Sequence, residues 1–183
     1  VDNWPGDADG VQGPELMVPD GHRIGEEGKG FSYLLDSLNP ERILIAAEAL
    51  GIGKTALRRA VEYAGQRVVF DRPIGQNQSI QHPLAENWVE LEAASLLIAK
   101  AAHLYDSGAP SGGMANAAKY FAAEAGFKAA TQAVMTLGGM GYAKEYHVER
   151  LLRESLIPRL APVSAQMVLN YIAERVLGLP KSY

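Results

Sequence analysis

Apolar residues recur three and four positions apart in several stretches of the chain, which is the spacing of one face of an α-helix. The longest stretch predicts a single half-buried helix, with Phe31 as the first residue on or beside its apolar seam and with an end marked by Gly65 and Arg67. The predicted helical stretches cover residues 31–66, 79–105 with Ser79 as N-cap, 114–137 and 164–177 with its end at Gly178, and a shorter amphipathic segment over 147–156 stops at Pro158. Pro73 and Gly75 predict an irregular loop over 67–78, and the alanines of 114–137, among them Ala125 and Ala129, predict a face against which a neighbouring helix packs closely. With no convincing strand after residue 30, the pattern favours an all-α fold, an up-down four-helix bundle.

The first 30 residues follow a different pattern, rich in glycine, proline and aspartate. Residues 16–19 could form one strand, and the segment resembles the tail of another domain. We therefore predict a non-helical remnant with its linker over 1–30 and the helical bundle over 31–183. Because the chain starts at Val1 rather than methionine, we expect it to be a processed or truncated piece.

Composition narrows the classes of function. The net charge of -4 and the pI near 5.6 give no electrostatic footprint for nucleic acid or anionic lipid. No apolar run approaches the roughly 20 residues that span a bilayer. The chain has no cysteine, which excludes disulfides and thiol chemistry. The sequence predicts an acidic, alanine-rich protein without a nucleic-acid or membrane partner.

Two ionised side chains, Glu41 and Arg42, interrupt the longest helical stretch directly after Asn39 and Pro40. Proline either kinks a helix or starts a new one, with Asn39 as its cap. Glu41 is then a solvated charge of a first helical turn or a functional carboxylate. Arg42 falls on the apolar seam, so a buried guanidinium there needs a partner.

Six motifs together resemble the C-terminal helical domain of the acyl-CoA dehydrogenase family. They occur in the family's order and spacing and cover about residues 25–178. The motifs are GEEGKGF, LNPERILIAAEALG, YAGQRVVFDRPIGQNQSIQ, LGGMGY, EYHVERLLRES and AERVLG. The resemblance implies that residues 1–30 are the end of the family's middle β domain and that its N-terminal helical domain is absent.

The resemblance implies FAD-dependent α,β-desaturation of an acyl-CoA thioester, in which a carboxylate takes the α-proton and FAD takes the β-hydride. Many members carry the base on a late loop, but the matching stretch here, residues 161–164, contains no acid. Members similar to isovaleryl-CoA and long-chain acyl-CoA dehydrogenases carry it in a Leu-x-x-Glu-Arg pattern on the first long helix, which matches Leu38 to Arg42. Glu41 is therefore the predicted base.

The same resemblance implies the remaining site residues. Arg42 would line the CoA or acyl entrance, although a salt bridge within the bundle is the alternative. Arg67 matches an arginine that faces the diphosphate of a neighbouring subunit's flavin; otherwise it is a cation at a helix end. The implied substrate contacts are Ser32, Asn39, Arg42, Pro162 and Val163, and the implied FAD contacts are Arg67, Phe70, Gln78, Met135, Gly138, Gly139, Ser164 and Gln166; no metal site is implied.

Three residues depart from the family pattern. Met135 replaces a common glutamine and removes a polar cofactor contact. Asp71 adds a negative charge near a diphosphate unless Arg72 offsets it, and Pro162 stiffens the loop beside the acyl pocket. Without the resemblance, Gly138 and Gly139 would belong to an ordinary loop.

The implied partners are an acyl-CoA substrate, an electron-transfer flavoprotein as acceptor, and further copies of the chain in a homodimer or homotetramer. The implied location is the cytoplasm of a bacterium or the mitochondrial matrix of a eukaryote. Two alternatives remain: a flavin oxidase or monooxygenase on the same fold, and a non-catalytic oligomeric homologue. By itself this chain is expected to bind FAD poorly and to turn over nothing.

Overall fold

A computed structural model describes residues 19–182 of the chain. The boundary between two compact units falls between Leu35 and Asp36. The strand predicted over 16–19 lies almost entirely outside the described residues. In the first unit, a short 3-10 helix covers Asp20–His22, and the Tyr33 hydroxyl accepts a hydrogen bond from the backbone N–H of Glu26 at 3.1 Å.

Helices account for most of the described chain, and the predicted all-α bundle is confirmed. Three long helices are followed by four short ones and a C-terminal π-helical segment. Their bounds are α1 Gly30–Gln66, α2 Gln78–Asp106, α3 Gly112–Leu137, α4 Gly139–Tyr142, α5 Val148–Glu154, α6 Ile157–Leu160, α7 Ala165–Tyr171 and the π segment Ile172–Val176. Within residues 19–182, none of these helices combines the length and apolarity that crossing a bilayer requires.

Helix α1 runs continuously through Pro40, so of the two alternatives at this proline the structure excludes a new helix capped by Asn39. Its buried face carries small residues and is slightly rotated from the predicted seam, which had included the exposed Phe31. The buried residues of α1 are Arg42, Ile43, Ala46, Ala49, Gly53, Ala56, Leu57, Ala60 and Ala64. Arg42, which the sequence places on the apolar seam, is among them.

Small residues let α1 and α3 approach closely. A Cβ atom added to Gly126 of α3 would lie 2.5 Å from the carbonyl oxygen of Ala49, and one added to Gly53 would lie 2.9 Å from the Cα atom of Gly126. Alanines continue this contact along both helices, as predicted for the α3 face around Ala125 and Ala129. The backbones of the two helices therefore lie in direct contact around Gly53 and Gly126.

The connection between α1 and α2 contains a small hairpin that the sequence analysis predicted as an irregular loop. Strand β1 (Val68–Val69) pairs antiparallel with β2 (Arg72–Pro73), and a 3-10 turn covers Ile74–Gln76. Two residues suffice for each strand because the turn residues Phe70 and Asp71 adopt positive φ angles of 52° and 61°. Helix α2 begins at Gln78 behind Asn77, so the predicted Ser79 cap is wrong.

The C-terminal part differs from the prediction mainly around Pro158. This proline lies in the first turn of α6 instead of only ending the preceding segment, because a first-turn proline lacks an N–H that would be unpaired there anyway. The Ser164 hydroxyl then caps α7 by accepting from the Met167 N–H at 3.4 Å. The chain leaves the last helix at Gly178, whose φ of 70° fits the predicted stop.

Candidate active site

The predicted base, Glu41, lies on α1 with an exposed side chain. The adjacent Asn39 is half-buried, whereas Ser32 belongs to the first compact unit and is exposed. Among the described residues, no salt bridge engages the Glu41 carboxylate within 4 Å. A carboxylate in this position can accept a proton from a molecule that approaches the exposed side of α1.

Arg42, the next residue, points into the bundle and is only 9% exposed. Its Nη1 donates to the Asn39 side-chain oxygen at 3.1 Å, while its buried Nε has no hydrogen-bond partner among the described residues. Burial lowers the pKa of Arg42, and nearby Tyr171 and Glu41 oppose that shift. The buried cation therefore sits electrostatically close to the exposed carboxylate of Glu41.

A second buried cation, Lys119 of α3, was missed by the sequence analysis. Its side chain is 1% exposed, and its Nζ donates to the backbone carbonyl of Val163 at 2.6 Å. Burial lowers the pKa of Lys119, and the positive charge of Arg42 lowers it further, whereas Glu124 acts in the opposite direction. The structure thus brings Arg42 and Val163 into one cluster through a residue that no motif had marked.

The start of α3 completes this cluster. A Cβ atom on Gly112 would lie 2.6 Å from the Tyr171 hydroxyl oxygen and 3.8 Å from the Asn39 side-chain oxygen, so the missing side chain makes room for both groups. Asn116 is buried and donates from Nδ2 to the Gly112 carbonyl at 2.8 Å. We call Asn39, Arg42, Gly112, Lys119 and Tyr171 the cation cluster.

Four of the predicted FAD contacts meet in a groove of about 290 Å³ at the other end of α1. Arg67 and the 135–139 segment both line it. Gly138 adopts a φ of 59°, and Cβ atoms on Gly138 or Gly139 would meet nothing within 4 Å, so their backbone is open to an approaching ligand. We call this the α1–α3 groove; its lining residues are Tyr63, Arg67, Val69, Ile74, Met135, Thr136, Leu137, Gly138, Gly139 and Met140.

The other predicted FAD contacts do not line this groove. Phe70 is 93% exposed at the hairpin turn, and Gln78 is exposed at the start of α2. Ser164 and the exposed Gln166 lie at the start of α7. Arg72 donates to the Asn77 side-chain oxygen at 2.7 Å, and no ion pair joins it to Asp71 among the described residues.

The separation of the two regions follows from helix geometry. Arg42 and Arg67 are 25 positions apart along α1 and its end, which corresponds to about 37 Å at about 1.5 Å per residue. The cation cluster and the α1–α3 groove are therefore distinct sites. One small ligand cannot occupy both.

Comparison with known proteins identifies the architecture. Residues 28–177 match the family described as "Acyl-CoA dehydrogenase, C-terminal domain". Acyl-CoA dehydrogenase FadE12 of Mycobacterium tuberculosis is 46% identical over 171 residues, which are 92% of this chain and 44% of that protein. The chain thus spans less than half the length of this relative.

Solved structures show the same fold. Butyryl-CoA dehydrogenase from Megasphaera elsdenii superposes with a TM-score of 0.85 at 39% identity, over 87% of this chain and 42% of that one. An FAD complex of PigA superposes with a TM-score of 0.84 at 27% identity, over 90% of this chain and 43% of that one.

Proposed function

Because the chain belongs to the acyl-CoA dehydrogenase family, we propose that it supplies the helical domain of an FAD-dependent enzyme that forms a 2,3-double bond in an acyl-CoA thioester. The observation that supports this most directly is the placement of Glu41, an exposed carboxylate, beside the buried charge of Arg42. A base that abstracts an α-proton must be accessible to the substrate and held by fixed neighbours. The Glu41 side chain is exposed to a substrate, and the hydrogen bond between Arg42 and Asn39 holds the turn of α1 that carries it.

The proton step uses residues of this chain. The Glu41 carboxylate accepts the α-proton, and the proton stays on one of its oxygens while the substrate also loses a hydride from its β-carbon. The Asn39–Arg42 hydrogen bond fixes the turn of α1 that carries Glu41. Pro162 and Val163 border the acyl chain from the loop before α7. Exclusion of water comes from the bound acyl-CoA and from polypeptide that covers the exposed side of α1.

The α1–α3 groove fits the phosphate-rich part of FAD. Arg67 is exposed, and among the described residues no side-chain hydrogen bond engages its guanidinium, so it is available to a diphosphate. The open backbone at Gly138 and Gly139 lets amide groups approach the same ligand. Phe70, Gln78 and Met135 are proposed as further contacts of this ligand, whereas Ser164 and Gln166, at the start of α7 beside the cation cluster, are proposed as contacts of the FAD near Glu41. When bound, FAD supplies the hydride acceptor for the β-carbon.

The distance between the two sites implies that each serves a different flavin. The flavin that receives the hydride lies near Glu41, whereas the α1–α3 groove, about 37 Å away along α1, faces the FAD of a neighbouring subunit. We therefore propose a homodimer or homotetramer, with an electron-transfer flavoprotein as electron acceptor. The residues 1–30 are proposed to be the end of the middle β domain, and the cytoplasm or the mitochondrial matrix is the proposed location.

Anaerobic flavin reduction tests this proposal. The protein, expressed at its native length and loaded with FAD, is mixed with acyl-CoA thioesters of different chain length and branching. We expect loss of the oxidised-flavin absorption band and formation of one 2-enoyl-CoA per reduced flavin. No bleaching by any acyl-CoA, together with no thermal stabilisation by acyl-CoA analogues, would contradict the proposal and favour a non-catalytic homologue.

The same preparation separates dehydrogenase from oxidase. A dehydrogenase passes electrons to an electron-transfer flavoprotein and consumes oxygen slowly, so acceptor-dependent turnover should far exceed oxygen uptake. Oxygen consumption at the rate of turnover would identify a flavin oxidase or monooxygenase instead.

A further inference from the structure

The two lysines in the middle of α3 occupy opposite environments. Lys128 is exposed and forms ion pairs with Glu86 at 2.9 Å and Glu90 at 2.8 Å. Lys119, nine positions earlier, is 1% exposed and forms no salt bridge within 4 Å among the described residues. The nearby Glu124 already pairs with Arg159 at 2.8 Å. Lys119 is thus a buried cation without a carboxylate partner.

Burial of such a charge is unfavourable for folding. On α3 itself, the fully buried Ala115, Ala118 and Ala122 lie beside Lys119, together with the buried Asn116. A methionine has nearly the same length and would occupy this space without losing the hydration of an ammonium group. Packing alone therefore does not explain why an ammonium group occupies this position.

Within residues 19–182, the one hydrogen bond of the Lys119 side chain goes to the loop between α6 and α7. Its acceptor is the Val163 carbonyl, at 2.6 Å, a charge-assisted bond. On one side of this loop, the Ala161 N–H donates to the Ile157 carbonyl, and on the other side the Ser164 hydroxyl caps α7. Between these anchors, no other hydrogen bond to Pro162 or Val163 is present in the described part of the chain.

We propose that Lys119 is a positioning residue that fixes the backbone of the loop 161–164 through this one bond. The loop borders the proposed acyl-CoA cleft and leads directly into the cap of α7, so its position sets the wall against which the acyl chain lies. Lys119 acts through the loop and not on the substrate itself. The effect on catalysis rests on the function proposed above, whereas the effect on the loop does not.

Hydrogen exchange measured by mass spectrometry tests the structural part in the protein at its native length. Lys119→Met removes the donor, Lys119→Gln keeps a neutral donor on a slightly shorter side chain, and Lys128→Met is the matched control. We expect Lys119→Met to speed exchange of the Ala161 and Met167 amides, the hydrogen-bonded N–H groups on either side of the loop, by about tenfold, the effect of losing one charge-assisted bond. Exchange in α2 should stay unchanged, Lys119→Gln should restore part of the protection, and Lys128→Met should leave the loop as in the wild type.

Kinetics test the catalytic part. With acyl-CoA as the reductant, Lys119→Met should lower the kcat of flavin reduction about tenfold with a smaller change in KM, because a displaced wall misaligns bound substrate. Lys119→Gln should recover part of that loss. If the wild type reduces no flavin, the proposed function fails, and the exchange measurement still decides the role of Lys119.

Two results would overturn the inference. The first is that the loop of Lys119→Met exchanges at the wild-type rate. The second is that Lys128→Met speeds exchange in this loop as much as Lys119→Met does. Should Lys119→Met fail to fold, the ammonium protons of the wild type provide the answer by nuclear magnetic resonance. Protection of the Lys119 ammonium group relative to that of Lys128 is expected, and equally fast exchange of the two would refute the bond.

Discussion

Arg42 lies in the first half of α1 and Arg67 directly follows the last residue of this helix, and the two arginines have different surroundings. Arg42 is buried, bonds to Asn39 and lies close to the charge of Lys119. Arg67 is exposed, and no side-chain partner engages it in the described part of the molecule. The first region is assembled by this chain, while the second presents groups that a ligand or a neighbouring subunit must complete.

This difference decides where a substitution takes effect. Changes near the cation cluster alter buried contacts, so they should appear as changes in the free energy of unfolding. Changes in the α1–α3 groove alter exposed groups, so they should appear in ligand affinity and leave stability nearly unchanged. Each prediction below tests one side of this contrast.

The largest expected effect concerns the contact between α1 and α3, on which the buried region depends. Gly126→Ala places a Cβ atom 2.5 Å from the Ala49 carbonyl oxygen, and backbone cannot move aside as a side-chain tip can. We expect the free energy of unfolding to fall by about 3 kcal/mol, the upper range for overpacking a core. Urea denaturation measures it.

Gly51→Ala is the matched control for this change. Gly51 lies on the exposed side of α1, and a Cβ atom there meets nothing within 4 Å. The substitution should stabilise the protein by about 0.5–1 kcal/mol, because alanine favours the helix over glycine. Equal effects of the two substitutions would show that the α1–α3 contact is looser than described.

The second effect concerns the exposed region. Arg67→Met should weaken FAD binding about 30-fold, equivalent to about 2 kcal/mol for a lost charged hydrogen bond, with unfolding unchanged. Fluorescence titration of the native-length apoprotein measures the affinity. Arg58→Met is the control, since Arg58 is an exposed arginine on α1 that pairs with Glu62 at 2.9 Å. Equal losses of affinity in both variants would remove Arg67 from the proposed site.

The smallest effect is a pH dependence of stability that arises from Lys119. Burial lowers the pKa of Lys119, so the folded state releases its proton at lower pH than the unfolded chain does. Between the lowered pKa and the ordinary value of 10.5, the unfolded state binds more protons, and the contribution of Lys119 to stability rises with pH. Below that window the contribution is constant.

Lys119→Met isolates this effect. The difference in unfolding free energy between wild type and variant should shift in favour of the wild type as pH rises toward 10.5. A difference that stays flat over this range would mean that the ammonium group is not destabilised by burial.

The helices were predicted well because the spacing of apolar residues along the chain shows which side of each helix packs against its neighbours. The sequence also placed Arg42 on the apolar seam, where a buried guanidinium would need a partner, and the structure shows that this residue is buried. The register of the seam was partly wrong, because alanine and glycine dominate the buried face of α1 and bulkier residues such as Phe31 lie outside it. Small residues carry a weak hydrophobic signal although they allow the closest helix packing.

Local rules failed where tertiary structure overrides them. Pro73 and Gly75 suggested an irregular loop, but the positive φ angles of Phe70 and Asp71 close a hairpin whose second strand contains Pro73, and Gly75 lies in the 3-10 turn that follows. Lys119 gave no signal because lysine is usually exposed on a helix. Its position among buried alanines was the available hint, and the Val163 acceptor, 44 positions along the chain, is visible only in three dimensions.

The central claim is that Glu41 accepts the α-proton, and a paired substitution tests it most directly. Glu41→Gln keeps the size of the side chain and removes the base, while Glu48→Gln makes the same change two turns along α1 on another exposed carboxylate. In anaerobic stopped-flow reduction by acyl-CoA, Glu41→Gln should slow bleaching by about 10³-fold, within the range for loss of a general base. Glu48→Gln should retain the wild-type rate. Unchanged reduction in Glu41→Gln would contradict the mechanism proposed for this chain.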